Sequence, residues 1–513
     1  MKKKYLVNFG LASLSLLAAS CGVSGDDYES FMPMSGAYTS DSYDEVAMPA
    51  SGDKFGEFSD NPFVKTSLQP VSTFSVDADG ASYAIVRRYL NRGYDVNPSS
   101  VRIEELLNYF TFDYAQPADG NSVAINAEVG TCPWNPQHHL LRLGIKGREL
   151  TEAEMPRANF VFLVDVSGSM DSADKLVLLK SGLKELVCQL NPDDRISIIT
   201  YSGEVKKLLE STQVKNAASI VKAIDNLFAS GYTNGGEALK MAYEEAMANY
   251  DPACNNRIIL GTDGDFNFGV TGTAALTEMV EGYAKKGIYL TCLGFGMGNL
   301  NDEMMESISN HGNGTYHYID SEQEMMKVFV HERERFVSVA NDAKCQVSFD
   351  STLVSEYRLI GYENRVLSRE DFEDDTKDAG EIGAGQTITA LYELVLNDSS
   401  LSSQTSDFKS PFATFDFRYK KSLDGESIPL QKVLKVEDID NKNGRSDDFY
   451  FAAGVAAYGM VLRQSPFKGD ATIDMARSLV EHHLGKDSHG YRKDLLQLMD
   501  KVKIDVSPSL VRP

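Results

Sequence analysis

Cysteine is scarce in this 513-residue chain: six in all, and never as a close pair. That spacing excludes a disulfide-stapled scaffold and the CxxC-type pairs of a zinc site. The residues around Cys188 and Cys292 are apolar, so the scattered cysteines read as core positions. Histidine occurs eight times and never in HExxH spacing. The neighbours His138 and His139 fall in a strand pattern and point to opposite faces, and His482 and His483 diverge on a helix, so neither pair reads as a shared metal site. Basic charge is short as well, with Lys and Arg at 50 against 74 acidic residues and a formal charge of −24. A surface of that sign excludes nucleic acid as a partner and favours solubility. Beyond the first twenty residues no apolar run is long enough to cross a bilayer; Phe449 to Leu462 is apolar or small but too short, and reads as a buried core helix. The remaining composition, 42% hydrophobic and 24% charged, is that of a globular protein long enough for two to four domains.

The start has the form of a signal peptide over 1–20. Lys2, Lys3 and Lys4 precede an apolar stretch, and Ala18, Ala19 and Ser20 precede Cys21. This resembles a bacterial lipobox, with its Leu at position 17, one residue earlier than the usual pattern. The resemblance implies lipidation at Cys21 and a chain anchored in the cell envelope. Residues 21–62 are rich in Ser, Gly, Asp and Tyr without sustained period, and read as a flexible tether. Its acidic stretch Asp26-Asp27-Tyr28-Glu29 resembles export signals of surface-exposed Bacteroidetes lipoproteins, which implies the outer membrane of a Gram-negative cell.

Periodicity divides the rest. Residues 63–154 carry helical patterns at 79–91 and 102–110, then strands at 123–129 and 139–145. From 155 to 340 strand and helix alternate, the pattern of an α/β domain with a doubly wound, mostly parallel sheet. Strands are expected near 158–165, 195–201, 256–262, 287–294 and 314–319, with helices between them and continuous helices at 173–190 and 321–337. Leu176, Leu179, Leu183, Leu186 and Leu190 make one face of the first helix apolar. Residues 341–440 are β-rich, and 441–513 are helical. The strands before 155 are too few to bury a core alone. We therefore expect them to join those after 340 in one β-sandwich from which the α/β domain projects.

The chemistry concentrates at strand ends. Asp165, Ser167 and Ser169 alternate on a turn between an apolar strand and a helix, and can aim three oxygens at one point, a pattern suited to a hard cation such as Mg²⁺. Thr233 lies in the Gly-rich loop Ser230–Gly236, and Asp263 ends a later strand in Thr262-Asp263-Gly264. In a doubly wound sheet all three loops fall on the carboxyl edge, where ligands bind. Helix capping alone does not explain five such side chains on three loops.

Asp-x-Ser-x-Ser, a Thr in a Gly-rich loop and Thr-Asp-Gly resemble the metal-ion-dependent adhesion site (MIDAS) of von Willebrand factor type A (VWA) domains over 155–340. Val71–Asp77, Ala81–Arg88, Val101–Glu105 and Asp447–Ala453 resemble the flanking regions of bacterial YfbK-type lipoproteins. The resemblance implies a metal, Mg²⁺ or Mn²⁺, held by the hydroxyls of Ser167, Ser169 and Thr233, with Asp165 and Asp263 acting wholly or partly through water. It implies no catalytic residues and a protein partner that supplies an Asp or Glu carboxylate to the metal. Two other readings stay open: a metal-assisted hydrolase, for which Asp265 is the only nearby base, and a scaffold whose metal only orders loops.

Overall fold

Alternating strand and helix after residue 155 builds a six-stranded sheet. Its order is Tyr316–Tyr318, Ile288–Gly294, Asn255–Thr262, Ala158–Asp165, Arg195–Tyr201, Val205–Gln213. The first five strands are parallel, and Val205–Gln213 runs antiparallel at the edge. Ala158–Asp165 is buried at every position, as a central parallel strand covered on both faces must be. The periodicity missed Val205–Gln213, whose two lysines and a glutamate suit an exposed edge and mask its period. The computed structural model describes residues 52–503 apart from 119, 233–234, 265–272, 378, 398–408 and 440–443. The signal peptide, Cys21 and the tether as far as residue 51 lie outside the described residues.

Two helices expected as continuous are interrupted. The first opens with a π turn at Ala173–Val177 before Leu178–Gln189. The last runs from Glu322 to Met326, widens into a π turn at Lys327–His331 and tightens into a 3₁₀ turn at Arg333–Phe336. Helical spacing in the sequence does not separate these from α turns, because the side chains stay on roughly the same face.

The two β segments do join. One sheet pairs Val123–Thr131 and His139–Gly147 with Thr387–Leu396, Val354–Ile360 and Val64–Lys65, all antiparallel. The other places Val71–Ser75 beside Ser338–Phe349, followed by Pro411–Lys420 and Ser427–Lys435. Their facing side chains form one core, with Phe74, Leu143, Val347, Tyr392 and Phe415 buried in it.

The α/β unit does not project from this sandwich; buried elements fasten it. The helix Ala81–Asn91 has two apolar faces. Ala84 and Ile85 enter the α/β core beside Tyr316 and Tyr318, while Tyr83 and Val86 enter a second core with the C-terminal helices. Arg87 on the same helix holds Asp320 at 2.5 Å and Glu324 at 2.7 Å. The helix Asp447–Leu462 lies at the centre of the second core and is apolar almost all round, which fits burial on every side.

Two further expectations need correction. Residues 52–62 are docked rather than tethering: Asp53 Oδ1 accepts from the backbone N–H of Gly298 (2.7 Å) and Leu300 (3.0 Å), and Asn61 Nδ2 donates to the Gly361 carbonyl at 2.8 Å. Polar side chains spent on distant backbone leave no hydrophobic period, so the segment reads as coil. Cys132, Cys292 and Cys345 are buried core residues as expected, but Cys188 is exposed, because it falls on the outer face of Leu178–Gln189.

Candidate metal centre

From Ala158–Asp165 the chain moves to the neighbouring strand Arg195–Tyr201, and then returns to pair Asn255–Thr262 on the other side. That reversal opens a crevice at the carboxyl ends of adjacent strands, the usual ligand position in this architecture. Asp165 closes one strand and Asp263 follows the other, so the topology brings together two carboxylates almost a hundred residues apart in sequence.

Both carboxylates are fully buried, while Ser169 faces solvent. Each Asp165 oxygen is already engaged: Oδ1 accepts from the Ser167 N–H at 2.9 Å, and Oδ2 from the Thr262 hydroxyl at 3.0 Å. Burial, with the nearby Asp263 charge, pushes the Asp165 carboxyl up to about 6 against the lowering effect of those bonds. Burial would raise Asp263 as well, yet hydrogen bonds from Lys175 and Ser169, the Lys175 charge and an Asn299 hydrogen bond bring it below its ordinary value.

The two serine hydroxyls lie 3.0 Å apart. Ligands at 2.0–2.1 Å in octahedral Mg²⁺ are separated by about 2.9 Å along an edge. The distance also suits the hydrogen bond between the two hydroxyls, so the donor chemistry decides. Two neutral hydroxyls, buried Ser167 and exposed Ser169, beside two buried carboxylates fit a hard divalent cation. Ser167, Ser169, Asp165 and Asp263 are thus brought to one place.

Thr233 and Asp265 lie outside the described residues. The stem of the Thr233 loop reaches the site: the Gly168 N–H donates to the Gly231 carbonyl at 3.0 Å, and the Ser230 N–H to the Val166 carbonyl at 2.7 Å. Phe228 and Tyr232 on that stem are strongly exposed, at 75% and 74%.

Sequence reasoning missed Lys175. Its ammonium donates to Asp263 Oδ2 and to the Ser169 carbonyl, both at 2.9 Å. Its stem passes over Gly296, whose φ is +74° and where a Cβ would overlap Lys175 Cε. The sequence offers no signal for this, because a lysine in the first turn after a loop is ordinarily solvated. Thr262 was visible in the motif, but its role as the donor that holds Asp165 was not.

A model of the von Willebrand factor type A domain matches residues 159–331. A von Willebrand factor model matches 49–142, and one described as "Uncharacterized protein YfbK, C-terminal" matches 334–504. The uncharacterized protein YfbK of Escherichia coli (strain K12) is 38% identical over 479 residues, which span 89% of this chain and 82% of that one. The chain belongs to the YfbK family of von Willebrand factor type A proteins. Among solved structures, a von Willebrand factor type A protein from Catenulispora acidiphila is 14% identical and covers 78% of this chain and 93% of its own, with a TM-score of 0.44. Proximal thread matrix protein 1 of the mussel byssus, solved with a zinc-occupied MIDAS motif, is 21% identical over 34% of this chain and 46% of its own, with a TM-score of 0.30. In this YfbK-family chain the VWA unit is the six-stranded sheet with its helices, and Asp165 and Asp263 lie at the carboxyl ends of its central strands.

Proposed function

We propose that this chain captures a protein partner by an Asp or Glu carboxylate, through Mg²⁺ (or Mn²⁺) held at Ser167, Ser169, Thr233, Asp165 and Asp263. The observation that carries this reading is the convergence of the Ser167 and Ser169 hydroxyls, 3.0 Å apart, on two fully buried carboxylates, with Ser169 the member of the four that reaches solvent. When bound, the cation supplies positive charge that neutral hydroxyls do not cancel, and an incoming carboxylate completes its coordination. The protein's own groups prepare this. The Ser167 N–H and the Thr262 hydroxyl fix the Asp165 carboxylate, while Lys175 occupies Asp263 Oδ2 and competes with the cation for it. Exposed Tyr232 and Phe228 beside the mouth offer apolar contact around the charged centre, the usual composition of a binding hot spot. The role is docking without catalysis. The chain is held in the envelope by lipid on Cys21, in the outer membrane.

The test has two arms. Mn²⁺ titration followed by electron paramagnetic resonance should give one bound ion per chain, lost in Asp263→Ala. Capture from envelope extracts should occur in Mg²⁺ and fail in EDTA or with Asp263→Ala. Capture that is unchanged in EDTA overturns the reading.

A further inference from the structure

A second group of carboxylates lies inside the molecule, where three parts of the chain meet. Asp77 follows the strand Val71–Ser75, Glu105 sits on the helix Ile103–Asn108, and Glu306 sits on the VWA helix Asp302–His311. All three are buried, and one oxygen from each lies within 4.8 Å of the others. That is inside the span of about 5 Å across a calcium ion with ligands at 2.3–2.6 Å.

Asp302 and Asp79 are buried beside them, and the cationic groups facing the cluster are Arg102 and Arg365. Arg102 Nη1 meets Asp302 Oδ2 at 2.5 Å and its Nε meets Glu105 Oε1, while Arg365 Nε meets Asp77 Oδ2 at 3.0 Å. Five buried carboxyl groups thus face two guanidiniums, and in a low-dielectric interior such a cluster is balanced either by protons or by a bound cation that displaces them. The existing bonds orient the carboxylates without using up their lone pairs. Glu105 Oε2 accepts from the Ser82 N–H at 2.8 Å, and Glu306 Oε1 from Asn364 Nδ2 at 2.5 Å. A carboxylate has about four acceptor sites, so each still has one to give.

An independent observation points to a ligand. Asp79 Oδ1 accepts from the Tyr316 N–H at 2.9 Å, but its Oδ2 is buried with no hydrogen-bond partner among the described residues. Asp79 and Asp77 line one cavity of about 160 Å³, bordered by Asn310, His311 and Arg365, while Glu105 and Glu306 lie behind Asp77 and outside its lining.

We propose that Asp77, Glu105 and Glu306, with Asp79 at the cavity wall, bind a calcium ion that ties the VWA unit to the rest of the chain. Calcium is the fit because the donors are protein oxygens in a dry site, whereas Mg²⁺ keeps several waters and is seldom caged by protein alone. The site shares no residue with the MIDAS and does not rest on the docking function.

The test uses the full chain with Ser167→Ala and Asp263→Ala, so that the first site contributes nothing. After EDTA and dialysis at pH 7, calorimetric titration with CaCl₂ should show one calcium per chain, with Mg²⁺ weaker by about tenfold or more. Calcium should also raise the melting temperature by several degrees. Adding Glu306→Gln and Asp77→Asn should abolish uptake. If that variant fails to fold, Asp79→Asn, which keeps the Tyr316 hydrogen bond, should weaken calcium by about tenfold. No calcium uptake, a melting temperature indifferent to calcium and EDTA, or uptake that survives these substitutions each overturns the proposal.

Discussion

Single residues give the proposed docking site its tests. On the proposed function, Ser167→Ala removes one of the hydroxyls that would hold the cation and leaves the strand and helix around it intact. It should weaken Mn²⁺ by about tenfold or more, read by titration, with the far-ultraviolet circular dichroism spectrum unchanged. Lys175 acts in the opposite sense. Its ammonium shares Asp263 with the incoming ion, so two cations compete for one carboxylate. Lys175→Met should tighten Mn²⁺ by about tenfold, which corresponds to about 1.4 kcal/mol. His317 on the strand Tyr316–Tyr318 is pushed down to about 3 by burial and then by the Lys327 charge. Its ordinary value is 6.5, so between about pH 3 and 6.5 the unfolded chain binds more protons than the folded one. Stability is therefore lost as pH falls through that window. His317→Gln should move the acid-unfolding midpoint to lower pH in a fluorescence-monitored titration.

At the scale of elements, the helix Asp447–Leu462 shows why small residues recur in an apolar run. A Cβ on Gly454 would stand 2.9 Å from Val480 Cγ2 and 3.0 Å from the Ala476 carbonyl. On the other side, a Cβ on Gly459 would stand 2.9 Å from Leu106 Cδ1. Helices approach on both sides closely enough to leave no room for a side chain. Intrinsic propensity favours almost any residue over glycine within a helix, by less than about 1 kcal/mol. Overpacking costs about 1–3 kcal/mol. Gly454→Val should therefore destabilise the chain by about 1–3 kcal/mol in urea melts, against the propensity. The sequence made this helix legible as a buried one, from its apolar run. It did not reveal the partners, because a helix apolar all round has no preferred face to read. The antiparallel edge Val205–Gln213 and the docked segment at 52–62 were hidden for a related reason. Their contacts are polar or with distant backbone, and leave no hydrophobic period.

At the scale of the whole molecule, the VWA unit borrows part of its core. Ala81, Ala84, Ile85 and Tyr89 come from the preceding region, and pack among Tyr316, Tyr318 and Met305. Residues 155–340 expressed alone should therefore bind a hydrophobic dye such as ANS and melt well below the intact chain. A fragment as stable as the intact chain would mean that this helix adds nothing to the unit. The central strands and most helices of the VWA unit could be read from sequence, because burial on both faces and amphipathic spacing are local properties. So could the identities of Asp165, Ser167, Ser169 and Asp263, because a strand end and its turn are contiguous residues. Tertiary structure alone decided which carboxylates share a space. Asp77, Glu105 and Glu306 lie in three segments with no common spacing, and Lys175 meets Asp263 across 88 positions. Electrostatic balance is summed over neighbours in space, and the chain's order says little about who those neighbours are.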